Sequence, residues 1–363
     1  MRASGAPRPC VASCVTRPRS TRCARWVTPC RGVAVNTDTP DASLRAPPTR
    51  PPVVIYEDDD LIAIDKPCGL SFHSDDLTRV HSGLATEPAP GLLAVVRSLQ
   101  EAGELQGTYY KGELHSVHRL DKVTSGICVF AKSKKAAQAL RESFRTRKAH
   151  KYYVALTSKK PSKKMGTVRG GMTQARRGAW KLVREQTKKK DEEGDEEDDG
   201  AARKKKKTTT APASTKFVAR GVAIDGEPFR FFVMKPITGK THQLRVACKS
   251  LGAPLLGDTT YGGSAAKAFD RTYLHAAALR FAVPVFIAAE GKEREDGNDG
   301  TDGSSRVVEI FCKPSFGKLW VRSPWFHETW NACGFGDAEK GDVDVWFTDQ
   351  PLLRSSVEEF GET

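Results

Sequence analysis

Asp225-Gly226 stands between two arms rich in β-branched and aromatic residues, FVARGVAI and EPFRFFVMK, and constrains the fold more than any other local signal. The favoured two-residue hairpin loop needs φ > 0 at both positions, which Asp tolerates and Gly adopts at no steric cost. The arms over 217–235 are therefore expected to pair antiparallel. VVIYEDDDLIAIDKPCGL, 53–70, reads as a strand, an acidic turn and a second strand ending at Lys66-Pro67. ICVFAK, 127–132, is a short apolar strand, and KYYVALT, 151–157, another. Ser133 suits the N-cap of a helix over KKAAQALRESFRTR, with Ala136, Ala137, Leu140 and Phe144 on one face. Thr241 can cap a second helix over HQLRVACKSL, which Gly252 stops. Strands and helices interleave without a βαβ repeat, so the fold class is α+β.

Charge divides the chain. The first 37 residues hold seven Arg, no Lys and no acid among Ser, Thr, Ala and Pro, the composition of an organellar transit peptide; chloroplast is preferred to mitochondrion. The alternative is a disordered basic arm that touches RNA. Pro47, Pro48, Pro51 and Pro52 close this leader of about fifty residues, and folding is expected to begin near Val53. One domain then occupies 51–333, followed by an acidic tail over 334–363. The formal net charge of +14 sits in the leader and the body, which suggests a polyanionic partner, nucleic acid first. Two charged runs, 188–207 and 290–305, are read as disordered insertions. No apolar run approaches the roughly 20 residues of a membrane span, so no membrane partner is expected.

Of nine cysteines four, Cys10, Cys14, Cys23 and Cys30, fall in the leader, and the other five are scattered singly without the paired spacing of a zinc site. His115 and His118 form HxxH with no second ligand pair, so no metal is expected. The Walker loop, the dinucleotide fingerprint, GxSxG and HExxH are all missing. Three segments remain dense in polar groups: HRLDKVTSG at 118–126, AHKYYVAL at 149–156 and PITGKTHQLRVACKSLGAPLLGD at 236–258. Taken alone, Asp121 serves as well for capping a turn as for chemistry.

In this order, the strings HRLDKVTSG, KYYVAL, TGKTHQLR and LGAPLLGDTTYG closely resemble the RluA-type RNA pseudouridine synthase family. YEDDDLIAIDKPCGL and YLHAAALRF resemble its first and closing elements, so the likeness spans about 53–285. Lys240 stands where the family usually has Arg, Val246-Ala247 replaces Val-His, and Ala282-Val283-Pro284 replaces x-His-Pro. The family's optional N-terminal S4 module is not apparent.

The resemblance implies a pseudouridine synthase fold: a mixed, mostly antiparallel sheet with flanking helices and a central RNA-binding cleft. It implies isomerisation of uridine in structured RNA without a cofactor, by a monomer, with ribosomal RNA preferred to transfer RNA as partner. Asp121 would be the essential carboxylate, as nucleophile at the sugar or as base toward a sugar proton. Arg245 would pair with Asp121, and Tyr153, preferred to Tyr152, would lie against the uracil. Arg119 would fill the space left by a flipped base or hold its backbone. His118, Thr124, Lys66, Lys240, Thr241, His242 and Gln243 are the remaining substrate-binding candidates. Trp320, Trp325, Phe326 and Trp330 are read as a packed C-terminal element in preference to a base-stacking surface. A non-catalytic RNA-binding or ribosome-assembly factor is the competing reading.

Deleting residues 188–207 is expected to leave thermal stability and turnover close to those of the full chain. A collapse of either, in a melting curve or an activity assay, would show that the run belongs to the fold.

Overall fold

The computed structural model describes residues 25–26, 50–74, 89–183, 210–286, 301–321 and 325–331. The charged run 188–207, the acidic tail and all of the leader before Arg50 except Arg25-Trp26 lie outside them. Two compact units emerge, one from 1–149 with 276–363, the other over His150–His275.

In the first unit β1 (Arg25–Trp26) pairs with Glu57 and Tyr56 of β2 (Val53–Glu57), which turns into β3 (Leu61–Lys66). The acidic turn anticipated here is held by its own carboxylate. Asp58 accepts the backbone N–H groups of Asp60 and Leu61, each at 2.9 Å, and the Tyr56 hydroxyl at 2.8 Å. This is the local side-chain-to-backbone bonding that makes Asp a turn residue. Helix α1 (Leu92–Ala102) buries Leu92, Val96 and Gln100, four apart on one face, and ends at Gly103 with φ 73°. The short β4 (His115–Ser116) and then β5 (Ser125–Ala131) follow. β5 is buried throughout and pairs with β3 from Leu61↔Ala131 to Lys66↔Gly126.

Helix α2 (Lys134–Arg145) starts as expected, with the Ser133 hydroxyl accepting from the Ala136 N–H at 3.1 Å. Ala136, Ala137 and Leu140 form its buried face.

Among its described residues the second unit is an antiparallel sheet with one α-helix. β6 (His150–Thr157), β7 (Met165–Gln174), β8 (Trp180–Val183), β9 (Ala211–Ile224) and β10 (Glu227–Pro236) lie in the order β6-β10-β9-β7-β8. Asp225 and Gly226 adopt φ 53° and 81° and close β9 onto β10 at Ile224↔Glu227, the hairpin read from the sequence. Tyr153, Met234 and Phe217 stand side by side across β6, β10 and β9. On that face α3 (Gln243–Ser250) packs Leu244 and Cys248 into the core.

β11 (Leu274–Phe286) carries the chain back into the first unit, where it pairs with β12 (Thr301–Phe311). The second charged run therefore ends sooner than expected: Thr301–Ser305 lie in β12, opposite Phe286–Pro284. Polar composition argues against a strand there, but an adjacent strand supplies the pairing partners that composition cannot reveal. Arg306 of β12 grips the acidic turn, 2.7 Å from Asp58 and 2.9 Å from Asp60. Short helices α4 (Lys318–Val321) and α5 (Trp325–Trp330) follow. Trp320, Phe326 and Trp330 are buried with ring centroids 5.1 and 5.7 Å apart, a packed element as anticipated.

Gly126 marks a close backbone approach in the first unit. Its φ is 104°, and a β-carbon there would lie 2.3 Å from the Ala276 carbonyl oxygen, in the backbone of β11. Gly126→Val is expected to destabilise the protein by about 2 kcal/mol or more, a fall in melting temperature of roughly 4–8 °C. An unchanged melting curve would refute the close approach.

Candidate active site

In the first unit the polar motif HRLDKVTSG is a tight turn feeding β5. The Thr124 N–H donates to the Asp121 carbonyl at 3.0 Å. Leu120, Thr124 and Ser125 are buried, Asp121 is half-buried and Arg119 is exposed. The apolar residue anchors the turn while its neighbours on either side reach outward. Behind it runs KPCGL: the Gly69 N–H donates to the Lys122 carbonyl at 2.8 Å, and the Cys68 thiol to the Val123 carbonyl at 3.0 Å.

Two residues of the expected substrate-binding set have other work here. Lys66 is wholly buried, its ammonium donating to the carbonyls of Pro67 at 2.8 Å, Leu70 at 2.7 Å and Lys122 at 3.4 Å. A phosphate contact is thereby replaced by a clamp between the KPCGL loop and the Asp121 turn. An ammonium is costly to bury unless its donors are used, and these carbonyls use them. His118 accepts the Val129 N–H at Nε2, 3.1 Å away, and stacks on Phe144 at 4.6 Å between ring centroids. The hydrogen bond takes up the lone pair that HxxH would have offered a metal. Thr124 is buried within the turn. Burial also pushes the thiols of Cys128 and Cys312 up to about 12, which keeps both from acting as thiolates at neutral pH.

In the second unit the THQLR segment begins α3. The cap position belongs to His242, not Thr241: His242 is left-handed at φ 57° and makes no side-chain cap bond. Gln243 supplies the order instead. Its buried amide accepts from Thr238 Oγ1 at 2.7 Å and the Lys240 N–H at 3.0 Å. It donates to the Ser214 carbonyl at 3.0 Å and to Thr215 Oγ1 at 2.9 Å. All four bonds are internal, so Gln243 fastens the TGKT loop to β9 and is a scaffold residue, where the sequence suggested a substrate contact. Lys240 is left exposed on that loop, and Thr241 half-buried. Lys151 of β6 reaches the same loop, with Nζ 3.9 Å from where a β-carbon on Gly239 would stand; burial lowers its pKa.

Arg245 is buried and bound bidentately by Asp258, Nε to Oδ2 at 2.7 Å and Nη2 to Oδ1 at 2.8 Å. Asp258 Oδ1 also accepts the N–H groups of Thr260 and Tyr261 at 3.1 and 3.2 Å. The Arg245 guanidinium lies over the Tyr261 ring, 4.9 Å from its centroid. The Tyr261 hydroxyl accepts the Trp180 N–H at 2.8 Å and lies 2.9 Å from His242 Nδ1. Gly257 makes the turn into Asp258 at φ 69°, where a β-carbon would fall 1.7 Å from the Arg271 carbonyl oxygen. Asp258 and Tyr261 were present in GDTTYG, yet nothing local announced that they frame Arg245 and His242. Of the adjacent tyrosines, Tyr152 is buried beneath the Lys235 ammonium, 5.3 Å from its ring centroid, and Tyr153 is half-buried.

Each unit thus presents a partly exposed polar element on a rigid base: Asp121 with Arg119 on one, Tyr153 with Thr241 and His242 on the other. Among the described residues no helix is long and apolar enough to cross a membrane.

A family model described as RNA pseudouridylate synthase matches residues 60–250. An uncharacterized RNA pseudouridine synthase of Haemophilus influenzae is 35% identical over 276 residues, 76% of this chain and 93% of its own length. The dual-specificity RNA pseudouridine synthase RluA of Vibrio parahaemolyticus is 31% identical over 242 residues, 66% of this chain and 81% of that one. The solved structure of Human RNA Pseudouridylate Synthase Domain Containing 1 is similar with a TM-score of 0.48 at 21% identity, covering 73% of this chain and 84% of that chain.

Asp258→Asn leaves Arg245 buried without its counter-charge and is expected to cost about 3–5 kcal/mol. Denaturant unfolding measures the loss; a variant as stable as wild type would show that the pair is not a framework contact.

Proposed function

This chain belongs to the RNA pseudouridylate synthase family, RluA type, and from that premise we propose that Asp121 carries the isomerisation of specific uridines in structured organellar RNA, ribosomal ahead of transfer RNA. The enzyme is an isomerase, so substrate and product have the same composition. The bond from C1′ to N1 breaks, the uracil turns, and C1′ bonds C5; the C5 proton is lost and N1 gains one. Asp121 acts at the sugar, as nucleophile at C1′ or as base toward a sugar proton. Tyr153 lies against the uracil, and its hydroxyl serves the late proton transfer at the base.

The observation that carries this reading is the Asp121 turn. Its carboxylate is half-buried on a loop fixed by Leu120, the Thr124 bond and the Lys66 clamp, a preorganised support for a reacting group. Arg119, exposed beside it, suits the space vacated when a uridine leaves its stack, a step costing roughly a few kcal/mol. Arg245, held in place by Asp258 and Tyr261, is the guanidinium that this reading assigns to the catalytic carboxylate. Lys240, Thr241 and His242, on the loop and helix start that Gln243 secures, contact the flipped nucleotide or its phosphate. The arginine-rich first 37 residues, which hold no acid, favour an organelle, chloroplast ahead of mitochondrion.

Asp121→Asn is expected to abolish turnover while the melting curve stays near that of wild type. Pseudouridine maps of organellar and cytosolic RNA from an Asp121→Asn strain should lose one or a few organellar positions. An unchanged map would sink the role of Asp121, and losses confined to cytosolic RNA would sink the organellar assignment.

A further inference from the structure

The second unit is the strongly basic part of the protein. Its described residues hold eighteen Lys and Arg against four acids, and 150–183 alone has nine bases and no acid. Register shows where three of them lie. Thr167 of β7 stands opposite Lys216 of β9, and Thr173 opposite Lys181 of β8. Residues directly opposite, and residues two apart, share a sheet face. Lys216, Arg169 and Lys181 therefore share one face of β9, β7 and β8, and all three are exposed. From the level of Lys216 to that of Lys181 is six residues along β7, roughly 20 Å. Lys159, Lys160, Lys163 and Lys164, also exposed, fill the loop that enters β7.

Among the described residues none of these seven cations pairs with a carboxylate, whereas Arg245, buried in the same unit, is matched by Asp258. An ordinary surface intersperses the signs, and a field of one sign repels itself unless a polyanion covers it. The support is rigid. On the opposite face Trp180 and Leu182 pack against Tyr261 and Val246, and the Trp180 N–H is bonded to the Tyr261 hydroxyl.

We infer that the Lys216–Arg169–Lys181 face, with the 159–164 loop, is a sequence-independent binding surface for the phosphate backbone of the substrate RNA. This rests on the RNA-isomerase reading and deepens it. Tyr153 stands on the other face of the sheet, in the row with Met234 and Phe217. The surface therefore holds RNA that flanks the target uridine and leaves the nucleotide itself to the site. Blocking of an edge strand by lysine is the ordinary alternative for Lys181. It accounts neither for Arg169 and Lys216, which lie on interior strands, nor for the loop.

Binding of the full chain to an unmodified transfer-RNA transcript and to an arbitrary RNA duplex, measured against salt concentration, tests this. The triple variant Arg169→Gln, Lys181→Gln, Lys216→Gln should lower the slope of log K against log salt by about 2–3, equally for both RNAs. Three neutralised lysines of the first unit, Lys111, Lys134 and Lys148, should leave it unchanged. As a measurement independent of the variants, duplex RNA should protect Lys159, Lys160, Lys163, Lys164, Lys181 and Lys216 of the wild-type chain from acylation. An unchanged slope in the triple variant, an equal fall in the control, or full acylation of these lysines under bound RNA would overturn the proposal while wild type still binds. A wild-type chain that binds neither RNA would remove the RNA reading itself.

Discussion

The bidentate bond between Arg245 and Asp258 is the contact around which the second unit is organised. Two buried charges each cost several kcal/mol to desolvate, and only short bonds in good geometry offset that. Here both guanidinium bonds are under 3 Å, and the carboxylate is further satisfied by two backbone N–H groups of its own turn. The pair therefore fixes a helix start and a turn thirteen residues apart at one geometry. Gly257 is the backbone consequence, since only a residue without a β-carbon fits against the Arg271 carbonyl. Tyr261 extends the constraint: one side chain lies under Arg245, meets His242 and receives the β8 backbone.

Several residues that look like ligands from their chemistry turn out to be framework. Lys66 donates to loop carbonyls, His118 accepts a β5 N–H, and Gln243 ties the TGKT loop to β9. The common reason is that a functional loop must be rigid and yet cannot form strand or helix ladders, so its backbone groups need side-chain partners. The functional groups are then the neighbours of these anchors. Arg119 and Asp121 flank buried Leu120, and Lys240 lies on the loop fastened by Gln243.

The two units also treat charge differently. In the first, several cations are matched: Arg306 with Asp58 and Asp60, Lys132 with Glu57, and Arg280 with Glu309. Those pairs tie neighbouring segments together. In the second the exposed cations of β7, β8 and β9 have no such partners among the described residues. That asymmetry suits an enzyme whose substrate is a polyanion, since a fixed positive surface raises encounter rates as well as affinity.

The sequence by itself determined those features whose cause lies within a few residues. The Asp225-Gly226 hairpin, the Ser133 cap and the acidic turn before Leu61 are set by local sterics and short-range bonds and are found where the letters put them, as are Ala136, Ala137 and Leu140 of the α2 face, whereas Phe144 is only half-buried and Ser143 is buried beside it. α1 carried a comparable signal in LLAVVRSLQ ending at Gly103, but its apolar spacing is brief. Tertiary structure alone decided whether a polar residue faces a partner or the solvent. Lys66 is buried by a loop 56 residues away, and Gln243 is bound by β9 some 28 residues earlier. Thr301–Ser305 became a strand because β11 stood beside them. Hydrogen-bonding capacity is written in the side chain, but which partner fills it depends on contacts between distant segments, and those exist only once the chain has folded.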